Sequence, residues 1–570
     1  MTVPGRHPGS IRAAPLALLG SRERSRRIAS YGVSALGLLG LLSALSPPMR
    51  GRLQVLLDVV PFVIPQTAAV TLVFVSLALL LTARGLRRGQ WLAWSATMLL
   101  LGASVVLHLV KGIDIEEAVL SGGGAWWLAR HRLAFPVRPT RAALWRAAAV
   151  AGGGTLVTML FAGLVARQHR EDVDPAMGAA VVHLFSGTWV NAGVGPAMLT
   201  PLLVCFGALI VGVALWVLLS PRKCLTVAAD VHLAERERAR RIVERSGEGT
   251  LDYFALRDDK HWFFTRDSLV AYAVTAGVCV VSPDPIGPRP EREEVWADFR
   301  AFVEAHGWSL SVLGASADWL PTYQASGMHP VYLGDEGVLD CRTFTLEGRA
   351  MRGLRQAHNR VVRAGYTVSF EDPALLPPEL HQRLLALASQ SRQGAVERGF
   401  SMTLSRLFDP ADTGFLMSIA RDAEGVPQAF IQWVPARGID GWSLDVMRRN
   451  TDPSLPNGVI DYLIIETIRY LHARGQHGLG LNFAVLRSLV AGEHAGWPAR
   501  TVAALLRRAG ANSQLESLWR FNAKFRPSWV PRYVLTSGMD SIAAHGLAIA
   551  DVEGISELPL LGRFMNGVPS

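Results

Sequence analysis

Residues 197–223 read AMLTPLLVCFGALIVGVALWVLLSPRK. Residues 197–220 carry no charge, and Pro221-Arg222-Lys223 ends the run. An apolar run of about 20 residues is long enough to cross a bilayer core. Up to Ser220 there are 19 Lys+Arg and 8 Asp+Glu; from Pro221 on there are 38 and 39. The chain therefore splits near residue 220 into an apolar, basic part and a part with the charge density of a water-soluble protein.

At 570 residues the chain is too long for one ordinary domain; about 150 residues per domain implies three to four units. Half the residues are hydrophobic, 18% are charged and the mean hydropathy is +0.24. Those values exclude a disordered or fibrous chain and are too apolar for a typical cytosolic enzyme. Cys205, Cys224, Cys279 and Cys341 form no CxxC, and the 15 His show no metal spacing, so neither a disulfide framework nor a metal site is expected. GxSxG, HExxH and Walker loops are also absent from the sequence.

Uncharged runs recur at Ile28–Leu45, Ile64–Ala83, Trp91–Val110 and Ala147–Ala166. The first follows Arg22, Arg24, Arg26 and Arg27 and reads as a retained anchor rather than a cleaved leader. Basic loops mark the cytoplasmic side, and Glu171, Asp172 and Asp174 mark an external loop. These assignments agree if Ile115–Ala129 also crosses, giving six spans, a cytoplasmic soluble part and a multi-pass protein of the cell membrane. An interfacial helix is the alternative for that short segment.

Past residue 220, strand-like and helix-like patterns alternate, an α/β signature. Ser268–Val281 (SLVAYAVTAGVCVV) reads as two strands around Thr275-Ala276-Gly277; 427–436 and 441–447 read as paired strands. Glu291–His306 and Asp461–Arg474 have helical spacing. Residues 221–340 carry 13 basic and 19 acidic side chains, and 341–540 carry 24 and 17. A positive module beside a negative one points to phosphates as the partner of the positive one.

The segment Gly348–Gly365, GRAMRGLRQAHNRVVRAG, contains no carboxylate. As one helix it places Arg349, Arg352, Arg360 and Arg363 in an arc of about 80°, with Arg355 about 60° outside it. Guanidinium groups suit phosphate by bidentate hydrogen bonding, although a solvated face reads the same way. In 518–533 Trp519, Phe521, Phe525, Trp529 and Tyr533 alternate with Arg520, Lys524, Arg526 and Arg532. Core packing is favoured for these aromatics, and function for Lys524 and Arg532. Asp445 and Arg448 face one cleft if their strand ends there; an ion pair closing a turn is the alternative. Asn457-Gly458 and Asp461 read as a turn and a helix start.

From Tyr253 to Val534 the sequence resembles the aminoacyl-phosphatidylglycerol synthases, the multiple peptide resistance factor family. The likeness lies in Ser282–Gly287 (SPDPIG), Gly334-Asp335-Glu336, Phe344–Gly365, Ser443–Arg449, Pro456–Asp461, Leu481–Ala484 and Glu516–Tyr533, in the family's order. It departs at Pro283, where the family has Gly, and at Gly334–Gly337, whose family form is GEEA-like. The form it most resembles carries a fused lysyl-tRNA synthetase, which is not expected here, nor is a full flippase domain.

Composition and charge divide the chain into a basic N-terminus (1–27), a transmembrane domain (28–220), modules 221–340 and 341–540 and a tail (541–570), and the resemblance implies that the two modules are GNAT-like, the first structural and the second catalytic. It implies transfer of an amino acid, lysine favoured, from aminoacyl-tRNA to phosphatidylglycerol, with no cofactor or metal. An oligomer is compatible with it. For that reaction the candidate catalytic set is Asp445, Arg448, Lys524 and Glu516. The candidate substrate-binding set is Arg349, Arg352, Arg355, Arg360, Asn457, Asp461, Asn482 and Arg532. Asp445 would bind the aminoacyl amine or assist deprotonation, and Arg448 and Lys524 would hold phosphate or the developing oxyanion. Glu516 would meet a cationic side chain. The rival readings are a tandem-GNAT transferase with another lipid or cell-wall acceptor, and a non-catalytic membrane protein.

Overall fold

Long uncharged runs fold as helices in a membrane setting, because only a helix satisfies its amide groups internally. The computed structural model describes residues 16–45, 63–168, 199–220, 227–392, 400–404, 406–485, 519–538 and 542–554. Its N-terminal part forms helices α1 (Leu16–Leu45), α2 (Val63–Arg87), α3 (Trp91–Gly112), α4 (Ile115–Arg130), α5 (Arg141–Gln168) and α6 (Leu199–Leu219). Among the described residues, four helices are long and apolar enough to cross a membrane: Gly20–Leu45, Ala68–Arg87, Trp91–Lys111 and Arg141–Ala162. Helix α4 has 16 residues, short of the roughly 20 that a span needs. Buried polar groups are paired between helices: Thr97 Oγ1 donates to Thr82 Oγ1 at 2.9 Å, and Lys111 Nζ donates to Ser43 Oγ at 3.0 Å. Donor atoms of His108, Asp114 and Glu117 lie within 4.8 Å of one another. Lys111 is 3.3 Å from Asp114, so an ammonium already supplies the cation there.

The chain divides into two compact units, Ala17–Arg222 with Phe302–Ser309, and Lys223–Ala301 with the chain beyond Leu310. The second contains helices α7 (Ala229–Ser246), α8 (Arg292–His306) up to Ala301, α9 (Leu320–Ala325), α10 (Arg352–Arg363), α11 (Pro378–Arg392), α12 (Val459–Ala473) and α13 (Ile542–Val552). Its strands are β1 (His261–Thr265), β2 (Ser268–Thr275), β3 (Val278–Val281), β4 (Ser309–Ala315), β5 (His329–Asp340), β6 (Thr367–Glu371), β7 (Leu416–Arg421), β8 (Pro427–Ala436), β9 (Gly441–Arg449), β10 (Gly478–Val485) and β11 (Ser528–Thr536). All eleven join one sheet in the order β1-β2-β3-β4-β11-β5-β10-β9-β8-β7-β6. The β2–β3 turn forms where expected, with Ala276 and Gly277 both at positive φ, as a two-residue hairpin turn requires.

One face of the sheet carries α10, α12 and the segment around Phe525. There Leu354, Val361, Leu463, Ile464, Ile468, Leu471 and Phe525 close over Leu339, Trp433, Leu444, Leu479 and Leu481. Each large aliphatic side chain buried this way contributes about 1.5–3 kcal/mol. The opposite face meets α7 and the 400s segment through Ile242, Val243, Leu404, Phe415 and Val434. Helix α10 starts at Arg352, later than the Gly348–Gly365 pattern implies, because Gly348 has φ +83° and residues 349–351 form a turn. Arg349 therefore precedes the helix instead of lying on its face.

Candidate active site at a strand splay

The parallel strands β9 and β10 pair only at Gly441–Gly478, Trp442–Leu479 and Ser443–Gly480. Beyond that point β9 stays with β8 and β10 stays with β5, so the sheet opens between them. Leu481 lies outside both ladders of β10, and its carbonyl accepts a hydrogen bond from Asn522 Nδ2 at 3.2 Å. A buried carbonyl requires such a partner.

Asp445 occupies a β-bulge at the mouth of the splay. Gln432 opposes Val446 and Trp433 opposes Leu444, so Asp445 is the extra residue. The bulge changes the phase of the strand: Leu444 and Met447, three apart, both meet the core under α12. Asp445 and Arg448 are thereby placed on the other face, although residues three apart point oppositely in a regular strand. The strand continues past Asp445 to Arg449, and it is the bulge that aligns the pair. Asp445 Oδ1 accepts from the Leu404 amide at 2.9 Å, and Oδ2 accepts from Gln432 Nε2 at 2.8 Å. These donors fix the orientation of a carboxylate that is almost fully buried. Arg448, half-buried, donates to the Met447 carbonyl at 2.9 Å.

A second group gathers around the start of α12. Arg360 Nη1 donates to the Asn457 carbonyl at 2.9 Å, joining α10 to the loop before α12. Gly458 has φ +100°, and a Cβ there would lie 2.7 Å from that of Ala357, so glycine permits this close approach. Asp461, in the first turn of α12, is 3.3 Å from Lys524 Nζ. Burial raises the Asp461 pKa while Lys524 opposes the shift. Lys524 is half exposed, and Arg349, Arg352 and Arg363 are exposed. The result is a cationic surface just before and along α10 and beside α12.

Other expected residues fall elsewhere. Arg532 is buried, its Nε 3.0 Å from Glu336 Oε2 and its Nη2 2.7 Å from Thr250 Oγ1. Burial lowers the Arg532 pKa, but Glu336, Asp284 and Asp252 outweigh that and raise it. A guanidinium committed in this way holds the sheet together and presents no surface to a phosphate, which corrects the role expected for it. Arg355 donates to the Leu346 and Gly348 carbonyls, closing the turn before α10. Phe521 and Phe525 pack into the core. Glu516 and the side chain of Asn482 lie outside the described residues. Sequence reasoning passed over Gln432, Ser443, Gly480 and Asn522. Gly478-Leu479-Gly480 inside a strand was the available signal, because strand glycines mark close approach.

Several known proteins are similar to this chain. It is 34% identical over 574 residues to the "Lysylphosphatidylglycerol biosynthesis bifunctional protein LysX" of Mycobacterium avium (strain 104), covering 94% of this chain and 47% of that protein. The protein of the same description from Mycobacterium tuberculosis is 33% identical over 568 residues, with the same coverages of 94% and 47%. The chain thus spans about half the length of these curated relatives. The solved structure of L-PGS from Bacillus licheniformis is 23% identical and covers 57% of this chain and 96% of its own, at a TM-score of 0.49. Residues 240–536, more than half of the chain, match the family described as "Phosphatidylglycerol lysyltransferase, C-terminal", and the chain belongs to that family.

Proposed function

We propose that this chain is an aminoacyltransferase of the phosphatidylglycerol lysyltransferase type. It would move an aminoacyl group, lysyl by preference, from aminoacyl-tRNA to a glycerol hydroxyl of phosphatidylglycerol. In the same reading six helices cross the cell membrane, the sheet unit is cytoplasmic, and the sheet comprises two GNAT-like modules, 221–340 and 341–540. The observation that carries the proposal is the buried, oriented Asp445 at a strand splay, in a chain whose residues 240–536 belong to this family.

The chemistry is ester exchange. The lipid hydroxyl oxygen bonds to the aminoacyl carbonyl carbon, and the bond from that carbon to the ribose oxygen breaks. The proton leaving the lipid hydroxyl ends on the ribose. The ester is already activated, so positioning supplies much of the rate. Asp445 would hold the aminoacyl amine or receive the hydroxyl proton in passing. Arg448 and Lys524 would stabilise the oxyanion or a phosphate. Arg349, Arg352 and Arg360 would hold lipid or tRNA phosphates, and Asn457, Asp461 and Asn482 would line their approach. Aminoacylation makes the lipid head group less negative, which would weaken attraction of cationic peptides by about 1 kcal/mol per charge.

Mass spectrometry of lipid extracts from cells expressing the chain tests the reading. A phosphatidylglycerol species heavier by one aminoacyl residue is expected. A new species on another lipid class would favour the alternative acceptor, and no new species would remove the transferase reading.

A further inference from the structure

A groove runs between α2 and α6, with Leu100 of α3 in its wall. It encloses about 850 Å³, a volume that holds a small ligand. Phe74 and Leu81 of α2 and Leu209 and Val213 of α6 line it, and Leu209 and Val213 are exposed. On α2 the lining runs from Thr71 to Arg84, which is about 20 Å of helix. The hydrocarbon of one leaflet is about 15 Å deep, half of a bilayer core. The groove is long enough for one acyl chain.

One end of the groove is cationic. There α2 and α6 end side by side: Arg88, just beyond α2, donates to the Leu219 carbonyl at 3.1 Å, and Gln90 donates to it at 3.0 Å. Arg88 is thereby committed to the end of α6. Arg84, one turn earlier, lines the groove instead, its guanidinium 5.6 Å from the centre of the Trp216 ring. Arg84 is exposed, and among the described residues no carboxylate pairs with it. Neither α2 nor α6 contains an acid.

An apolar trough that ends in a guanidinium matches the two ends of one molecule, an acyl chain and a phosphate. Trp216 beside Arg84 suits the polar boundary of a membrane, where indoles collect. The basic residues Arg84, Arg87 and Arg88 mark the cytoplasmic side, whose leaflet carries anionic lipids. A helix from a second copy would fit the trough less well, because the uncharged runs of this chain bring no anion to Arg84.

We propose that the groove between α2 and α6 is a binding site for an anionic phospholipid, with one acyl chain along Phe74, Leu81 and Val213 and the phosphate on Arg84 beside Trp216. The site recognises a chain and a negative charge rather than one head-group alcohol. It rests on α2 and α6 crossing the membrane and is independent of the transfer reaction.

The test is photolabelling of the full chain, purified in detergent, by phosphatidylglycerol carrying a diazirine on one acyl chain. Mass spectrometry then locates the labelled peptides. Label should fall on residues 71–84 and 207–216. Unlabelled phosphatidylglycerol should displace it about fivefold better than phosphatidylcholine with the same chains, the advantage of one surface cation. Arg84→Gln should erase that difference at an unchanged melting temperature. Gly212→Leu, which adds a side chain opposite Leu81, should remove the label from both stretches; if that variant does not fold, Arg84→Gln decides. Equal displacement by the two lipids from the unaltered chain would reduce the groove to ordinary lipid contact and overturn the site. So would label confined to other stretches. An unlabelled groove in a protein that runs as a dimer would assign it to a second copy. Labelling needs no aminoacyl-tRNA, so a protein that makes no aminoacyl lipid can still show the site, and an active transferase can lack it.

Discussion

Arg532 Nε lies 3.0 Å from Glu336 Oε2, deep between β5 and β11, and the pair ties the two strands across the middle of the sheet. Removing one partner of a buried ion pair strands the other charge, at about 3–5 kcal/mol. Arg532→Met should therefore lower stability by that order, read by denaturant unfolding of the full chain. Stability equal to the unaltered protein, with reduced tRNA affinity, would return Arg532 to the phosphate-binding role that the sequence implies.

Gly458 allows α10 to approach the start of α12. Gly458→Ala adds a methyl 2.7 Å from the Cβ of Ala357, at a φ of +100° that disfavours L side chains. The expected cost is about 1–3 kcal/mol. Because Arg360 holds the adjacent Asn457 carbonyl, transfer should fall as well. An unchanged melting temperature would show that the approach is not tight.

The arginine pattern of α10 was legible because a surface helix writes its exposed face into the sequence every three to four residues. The paired strands at 427–436 and 441–447 were legible as two short apolar runs, the first buried nearly throughout, around the break at Arg437–Asp440. Asp445 was legible as a residue but not in its geometry. Its orientation depends on a bulge that exists only in the pairing of β9 with β8. Arg532 resembled its basic neighbours at 518–533, yet β11 inserts between β4 and β5, and that insertion buries it.

Lys260 is fully buried, its ammonium donating to the Ser282 carbonyl at 2.8 Å and lying 4.3 Å from the centre of the Phe400 ring. Burial lowers its pKa from 10.5 to about 7. Between these values the unfolded chain keeps a proton that the folded chain has released. Stability should therefore rise as pH increases from about 7 toward 10.5, with a slope of at most about 1.4 kcal/mol per pH unit. Lys260→Met should flatten this rise in unfolding curves recorded across the range; a rise of the same size in the variant would assign it to other groups.

Asn522 satisfies the Leu481 carbonyl where the parallel ladder ends. Asn522→Leu should cost about 1–3 kcal/mol by leaving that carbonyl unmatched. It should also slow transfer more than an exposed substitution such as Arg363→Gln does. Transfer at the rate of the unaltered protein would mean that β10 keeps its course without Asn522.

The central claim is that the strand splay at Asp445 is where the aminoacyl group changes hands. The most direct measurement is transfer of radiolabelled lysine from lysyl-tRNA to phosphatidylglycerol vesicles by the purified full chain, beside Asp445→Asn, which keeps the shape and removes the charge. Labelled lipid with the unaltered protein, and a fall of at least a hundredfold in the variant at equal melting temperature, is the predicted result. Transfer by Asp445→Asn at the full rate would contradict the account.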